Sequence, residues 1–291
     1  MRERTKVNAG MAGPALSAGL PPARYSAGCG RAEGARACPT GFRKSQRVAT
    51  GDESGIDGEK VSITAGVRAD WITVAVRTGE PGEKGTGGIS MIVVPGEAAG
   101  LSRTRLDKMG WHASDTGQLR FDGVRVPARH LVGEEGAGFR MIMGNFNGER
   151  PARSAMALGF AQACYDEALD WARQRKAFGA PLVEKQVIRH KLVDMQMRIH
   201  ATEAWLNAVT GLADEGKLES DADCIAQVCM LKNQSTQAMQ FCADQAVQIL
   251  GGMGYMRGTK SERIYREVKV MMIGGGAEEI MKDLAARQLG L

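Results

Sequence analysis

The feature that most constrains this chain is a change of hydrophobic period near residue 135. Upstream, "DWITVAVRT" (70–78), "GGISMIVVP" (87–95) and "TGQLRFDGVRVP" (116–127) are β-branched, roughly alternating segments set between Gly and Pro turns. They follow one another without helices between them, which predicts an antiparallel β unit rather than a βαβ unit. Downstream the period becomes helical. Within 185–212, Ile188, Leu192, Met195, Ile199, Leu206 and Val209 fall at spacings of 4, 3, 4, 7 and 3, one continuous apolar stripe. A helix at about 219–250 carries Met239, Cys242, Ala246 and Ile249 at spacings of 3, 4 and 3. An alanine-rich helix is expected at 151–173, with Pro151 suited to its first turn, and a shorter one at 277–288. Long helices with short connections imply an antiparallel bundle. The expected class is α+β: an incomplete antiparallel barrel or sandwich at 58–133, then a four-helix bundle at 134–291.

Residues 1–57 are rich in Gly, Ala, Arg and Pro without a periodic apolar pattern, and are expected to be disordered or non-native. The net charge of +5 suits an anionic ligand such as a nucleotide and is too small to argue for nucleic acid. Six cysteines form no CxxC pair and no metal-like grouping with the four histidines, so no metal site is expected. Cys224, Cys229 and Cys242 share one helical stretch and read as small buried hydrophobes, which suits a reducing compartment. No run approaches the roughly 18–20 apolar residues that span a bilayer, and no compact apolar stretch near the start suggests a secretory signal. A cytoplasmic protein with no membrane partner is the expectation.

No P-loop, GxGxxG, HExxH or nucleophile elbow is present. The residues by themselves lead only as far as a ligand site between a β unit and a bundle. Four segments lead further: "KVSITAGVRADW" (60–71), "KMGWHASDTGQLRFDGVRVPARHLVGEEGAGF" (108–139), "ARQRKAFGAPLVEKQ" (172–186) and "AVQILGGMGYMRGTKSERIYREVKVMMIGGGAEEIM" (246–281). In this order and spacing they resemble the acyl-CoA dehydrogenase family, over about residues 58–291. The resemblance implies FAD as cofactor and oxidation of a fatty acyl-CoA to the trans-2-enoyl-CoA. A carboxylate would take the α-proton while a hydride leaves for the flavin. Such a base needs its pKa raised by apolar surroundings, and the developing oxyanion needs pre-placed donors. The family's N-terminal helical domain, and the Thr-Glu-Pro-like segment after it, are not recognisable here. A truncated or frame-shifted start is therefore expected.

Many members carry the base in a Tyr-Glu-Gly-Thr-like loop before the last helix. Here that loop reads Ile273-Gly274-Gly275-Gly276-Ala277, with glycine at the Glu position. A branch resembling the isovaleryl and long-chain dehydrogenases places the Glu on an earlier helix, before an Arg, and this chain has Glu149-Arg150 there. Glu149 is thus the expected base. The competing explanation is structural: a Glu at a helix start gains about 0.3–1 kcal/mol from the helix dipole. Glu278 and Glu279 lie past Gly275 and are expected to begin the last helix.

For the flavin, the resemblance implies contacts from Ser62, Ile63 and Thr64, where the family commonly has an aromatic at the first position. It also implies Arg175, reaching the pyrophosphate of a neighbouring subunit, for which a planar guanidinium is suited. Gln186, the turn Gln248, Ile249, Leu250, Gly251 and Gly252, and the residues Ala277, Glu278 and Glu279 complete the set; Ala277 stands where a Thr hydroxyl is common. Asn147, Arg150 and Gly276 align with thioester- or CoA-contacting positions. An electron-transfer flavoprotein is the implied acceptor and a homotetramer the implied assembly. An oxidase using oxygen directly fits the motifs less well. The alternative from another class is a non-catalytic remnant that folds or oligomerises through its bundle.

Overall fold

The computed structural model describes residues 25–28, 46–50, 52–79, 88–218 and 220–291. Eight strands form one sheet: β1 (Tyr25–Gly28), β2 (Gln46–Thr50), β3 (Glu53–Thr64), β4 (Trp71–Arg77), β5 (Ile89–Pro95), β6 (Leu101–Arg105), β7 (Thr116–Pro127) and β8 (Leu131–Val132). Their order is β6-β7-β3-β2-β4-β5-β8, with β1 also on β4. Pairing is antiparallel except where β1 and β2 run parallel to β4, and among the described residues the sheet does not close into a barrel. β1, β2 and the start of β3 lie inside the segment 1–57 expected to lack structure. The β unit therefore starts before residue 58; the rest of that segment lies outside the described residues. Strand alternation does the burying: Leu119, Phe121, Val124 and Val126 of β7 meet Ile72, Val74 and Val76 of β4 in one apolar core.

The helical unit holds α1 (Gly138–Gln174), α2 (Gln186–Asp214), α3 (Ala222–Leu250), α4 (Gly252–Tyr255), α5 (Lys260–Ile273) and α6 (Glu278–Gln288). A two-stranded clip, β9 (Lys176–Ala177) with β10 (Ala180–Pro181), separates α1 from α2. The directions follow from side-chain meetings. Arg150 of α1 reaches Cys229 of α3, whereas Glu167 reaches the start of α5 and Arg150 the turn after its end. So α1 and α3 run one way and α5 runs against them. Lys191 and Met195 of α2 meet Gln245 and Cys242 of α3, which makes α2 antiparallel too. The expected stripe holds: Leu192, Met195 and Ile199 are in the bundle core with Met239, Cys242, Ala246 and Ile249. Burial pushes the Cys164 and Cys242 thiols up to about 12, so they are inert core residues.

α1 is the main departure from expectation. It starts at Gly138, not near 151, and Pro151 lies inside it. Proline there removes the helical bond to the carbonyl of residue 147, yet the helix continues because Pro151, Ser154, Ala157 and Ala161 are buried against the bundle. Tertiary packing outweighs the local signal.

The units meet where Phe139, Ile142, Met143 and Phe146 of α1 pack on Ala75, Ile89 and Met91. A second contact is the loop before β7. Its Met109 carbonyl accepts from Arg266 Nη1 of α5 at 3.3 Å. Trp111 of the same loop packs on the bundle core.

The start of α5 is capped by Thr259, whose Oγ1 accepts from Glu262 N–H at 3.2 Å, and is held by one carboxylate of α1. Glu167 accepts from the backbone N–H of Lys260 (2.9 Å) and Ser261 (2.7 Å) and from Ser261 Oγ (2.6 Å). These bonds outweigh desolvation and hold its pKa below the usual carboxylate value. Glu167→Ala is expected to lower unfolding stability by about 1–3 kcal/mol in urea titration. The sign for pH follows: a depressed folded pKa gives stability that is present above the unfolded value and lost as pH falls through the folded one. The stability gap between parent and Glu167→Ala should therefore shrink on acidification below the usual carboxylate range. A gap that stays constant down to the acid limit would exclude this role.

Candidate active site

Glu149 stands eleven residues into α1, far from the helix N-terminus, so the helix dipole does not account for it. Its side chain is 33% exposed, and Oε1 accepts from Arg153 Nε at 2.8 Å and Nη2 at 2.5 Å. The two residues are one helical turn apart, the spacing that places charges side by side. Among the described residues Oε2 has no hydrogen-bond partner.

Arg153 lies across the turn between α5 and α6. A Cβ on Gly274 would meet its Nη1 at 2.9 Å, and one on Gly275 would meet its Cδ and Nε at 3.3 Å. Gly275 has φ +72, a left-handed conformation that glycine takes freely. Positions 149 and 275, the two candidate base positions the resemblance implies, are therefore joined in space through Arg153. Arg150 is only 3% exposed. It donates from Nε to the Gly275 carbonyl (3.3 Å) and from Nη1 to Asn147 Oδ1 (3.2 Å), and its guanidinium lies 5.5 Å from the Phe146 ring centroid. Asn147 in turn donates to the Leu218 carbonyl at 3.0 Å. Arg150 and Asn147 thus brace the turn.

Lys232 of α3 is fully buried and donates to the carbonyls of Met272 and Gly276, the latter at 2.8 Å. Gly276 also crowds Met281, whose Cε a Cβ there would strike at 2.4 Å. Asn233 donates to the Glu278 carbonyl (2.9 Å) and Gln237 to Glu278 Oε1 (2.6 Å), while Lys282 holds the same oxygen at 2.8 Å. That last bond is the chief cause of a lowered Glu278 pKa. Ala277 is the N-cap of α6 and offers no side-chain acceptor; Glu278 and Glu279 fill the acidic first turn. Glu278 Oε1 is thus engaged by Gln237 and Lys282, while Glu279 is exposed at the helix start.

On the β unit, Ser62 sits at φ +63 in a register break between Lys60 and Ile63. Such bulges re-aim side chains. Ser62 and Thr64 face outward, while the Ile63 side chain is 3% exposed in the sheet core and its carbonyl accepts from Gly66 N–H at 3.1 Å. The corner is tied to Asp115 through Ala65 N–H to the Asp115 carbonyl (3.0 Å), Val67 N–H to Oδ2 (2.9 Å) and Arg68 Nε to Oδ1 (2.7 Å).

The remaining expected residues gather at the opposite end of the bundle. Arg175 caps α1, and Gln186 opens α2; Gln248 ends α3 on an exposed face, with Ile249 and Leu250 buried behind it. Gly251 (φ 60, ψ −133) and Gly252 turn the chain into α4, and a Cβ on either would meet nothing within 4 Å. Open backbone and an exposed guanidinium thus lie at the same end of the bundle. Arg175 stands 26 residues along α1 from Glu149, about 40 Å at 1.5 Å per residue. One chain therefore carries the expected residues as two separate candidate half-sites. Residue patterning alone did not single out Arg153 or Lys232. Among the described residues, no cluster of three or more His, Cys, Asp or Glu is placed for a metal, and no helix is long and apolar enough to cross a membrane.

A β sheet docked on an antiparallel bundle, with a mid-helix carboxylate joined through Arg153 to a glycine turn, defines a class of two-unit α+β proteins. Residues 136–290 match the family described as acyl-CoA dehydrogenase, C-terminal domain, and residues 39–124 match acyl-CoA dehydrogenase, middle domain. This chain belongs to the acyl-CoA dehydrogenase family. It is 36% identical over 250 residues to cyclohexane-1-carbonyl-CoA dehydrogenase of Geobacter metallireducens, covering 86% of this chain and 64% of that protein. It is 34% identical over 235 residues to the mitochondrial long-chain specific acyl-CoA dehydrogenase of Rattus norvegicus, covering 80% and 54%. A crystal structure of a probable acyl-CoA dehydrogenase from Mycobacterium abscessus superimposes with a TM-score of 0.84 at 40% identity, covering 92% of this chain and 69% of that one. The chain thus spans between half and two thirds of the length of these curated relatives.

Proposed function

We propose that the chain serves flavin-dependent α,β-dehydrogenation of an acyl-CoA thioester to the trans-2-enoyl-CoA, with Glu149 as the base. The observation that carries this reading is the mid-helix carboxylate held through Oε1 by Arg153, with Oε2 unpartnered, beside a turn stripped of side chains. Oε2 is the atom that receives the α-proton. The backbone N–H groups of the glycine turn are the chain's own donors for the thioester oxygen as charge builds there. Asn147 and Arg150 act on substrate by fixing that turn.

FAD is the cofactor the half-sites fit. Ser62 and Thr64, with the Ile63 backbone and the Ala277–Glu279 helix start, serve one end. Arg175, Gln186 and Gln248–Gly252 serve the diphosphate end of a neighbouring copy, since about 40 Å of helix separates them from Glu149. When bound, the flavin supplies the hydride acceptor. The functional unit is accordingly a homo-oligomer, a tetramer by the family pattern, and the electron acceptor proposed is an electron-transfer flavoprotein in a cytoplasmic setting.

The test is spectroscopic. Purified chain supplied with FAD should be yellow and should bleach when acyl-CoA thioesters of several lengths are added without oxygen. A colourless protein that nonetheless folds and oligomerises would support the second reading, a non-catalytic chain. Ser62, which brings no aromatic ring to the flavin corner, favours that reading.

A further inference from the structure

We propose that Lys232 is a positioning residue, locking the glycine turn opposite Glu149 by holding the carbonyls of Met272 and Gly276; this rests on the function proposed above. A buried ammonium is expensive unless it is fully hydrogen-bonded, and 0% of Lys232 is exposed. Its bonds do not go to a carboxylate. They go to two backbone carbonyls that bracket Ile273-Gly274-Gly275. A carbonyl between them in sequence, that of Gly275, accepts from the buried Arg150.

Three consecutive glycines form the least restrained backbone a chain can make. Two buried cations remove that freedom here. A trans peptide sets its C=O and N–H on opposite sides, so holding the Gly275 and Gly276 carbonyls against the interior turns the next N–H groups, those of Gly276 and Ala277, away from it. Among the described residues these N–H groups and that of Gly275 have no acceptor. Fixed, unpaired N–H groups are what a developing oxyanion requires. Burial first, and then Arg153 and Arg150 against the pull of Glu278, push the Lys232 pKa down to about 8. Near neutral pH the group keeps its proton, and its donors stay charge-assisted.

Lys232→Met, Lys232→Gln and Lys232→Arg test this, the Gln variant standing in if Met does not fold. The first readout needs neither flavin nor turnover. Amide hydrogen exchange across residues 268–282 should quicken about tenfold in the Met and Gln variants, with the β-sheet amides unchanged, and Arg should restore much of the protection. The second readout uses FAD-loaded chain. Flavin reduction at saturating acyl-CoA should slow about tenfold or more in the Met and Gln variants while half-saturation moves less than about threefold, with partial rescue by Arg. Unchanged exchange around the turn, or reduction at the parental rate in a folded Met or Gln variant, overturns the proposal. A parent chain that is never reduced would sink the proposed function, and the exchange measurement would still decide the role of Lys232 at the turn.

Discussion

Glu149→Gln is expected to leave the chain folded and yellow with FAD, yet slow bleaching by acyl-CoA by about 10²–10⁴-fold, the usual contribution of a positioned general base. The substitution keeps the shape of the side chain. Its carbonyl oxygen can still accept from Arg153, so the helix and the turn stay in place. What disappears is an oxygen able to take a proton. Stopped-flow absorbance under anaerobic conditions separates this outcome from a binding defect, because only the limiting rate should fall. A Glu149→Gln chain bleaching at the parental rate would move the base elsewhere.

Moving the carboxylate across the turn should recover part of what removing it costs. In Glu149→Gly combined with Gly275→Glu, the new side chain starts 3.3 Å from Arg153 Cδ and Nε, the guanidinium stem that holds the base now. Arg153 is the flexible partner and gives way by a few tenths of an ångström. The backbone does not: φ +72 at position 275 disfavours any Cβ, by about 1–2 kcal/mol. The double variant should therefore melt a few degrees lower than the parent. It should bleach more slowly than the parent and about tenfold or more faster than Glu149→Gly alone, if the base adds 10²-fold or more. No gain over the single variant would mean that position 275 does not address the same substrate atom.

Much of the fold was written in hydrophobic period. The β-to-helix change near 135 is where the sheet ends and α1 begins, and the stripe from Leu192 to Ile199 faces the core. Pro151 misled because a proline at a helix start and a proline inside a long buried helix look alike locally; only the packing of 138–150 on the sheet tells them apart. The strands β1 and β2 were hidden because four and five residues among Gly, Ala and Pro are too few to show an apolar alternation. Family likeness singles out Glu149 as a candidate base, and Arg153 carries a signal in its four-residue spacing from it. Lys232 carries one as well: it falls three residues after Cys229 and four before Thr236, on the stripe that continues to Met239 and Ala243, all buried. A lysine among core positions was the visible anomaly. What it holds, carbonyls 40 and 44 residues downstream, depends on tertiary geometry that no local pattern contains.

The length of α1 has a genetic consequence. If each flavin is gripped by the near end of one chain and the far end of another, a fault at Glu149 and a fault at Arg175 damage different halves of every site. Mixed assemblies of two such chains would then contain some sites built wholly from sound halves. Two individually inactive alleles could complement one another, and an allele broken at both ends would poison its neighbours.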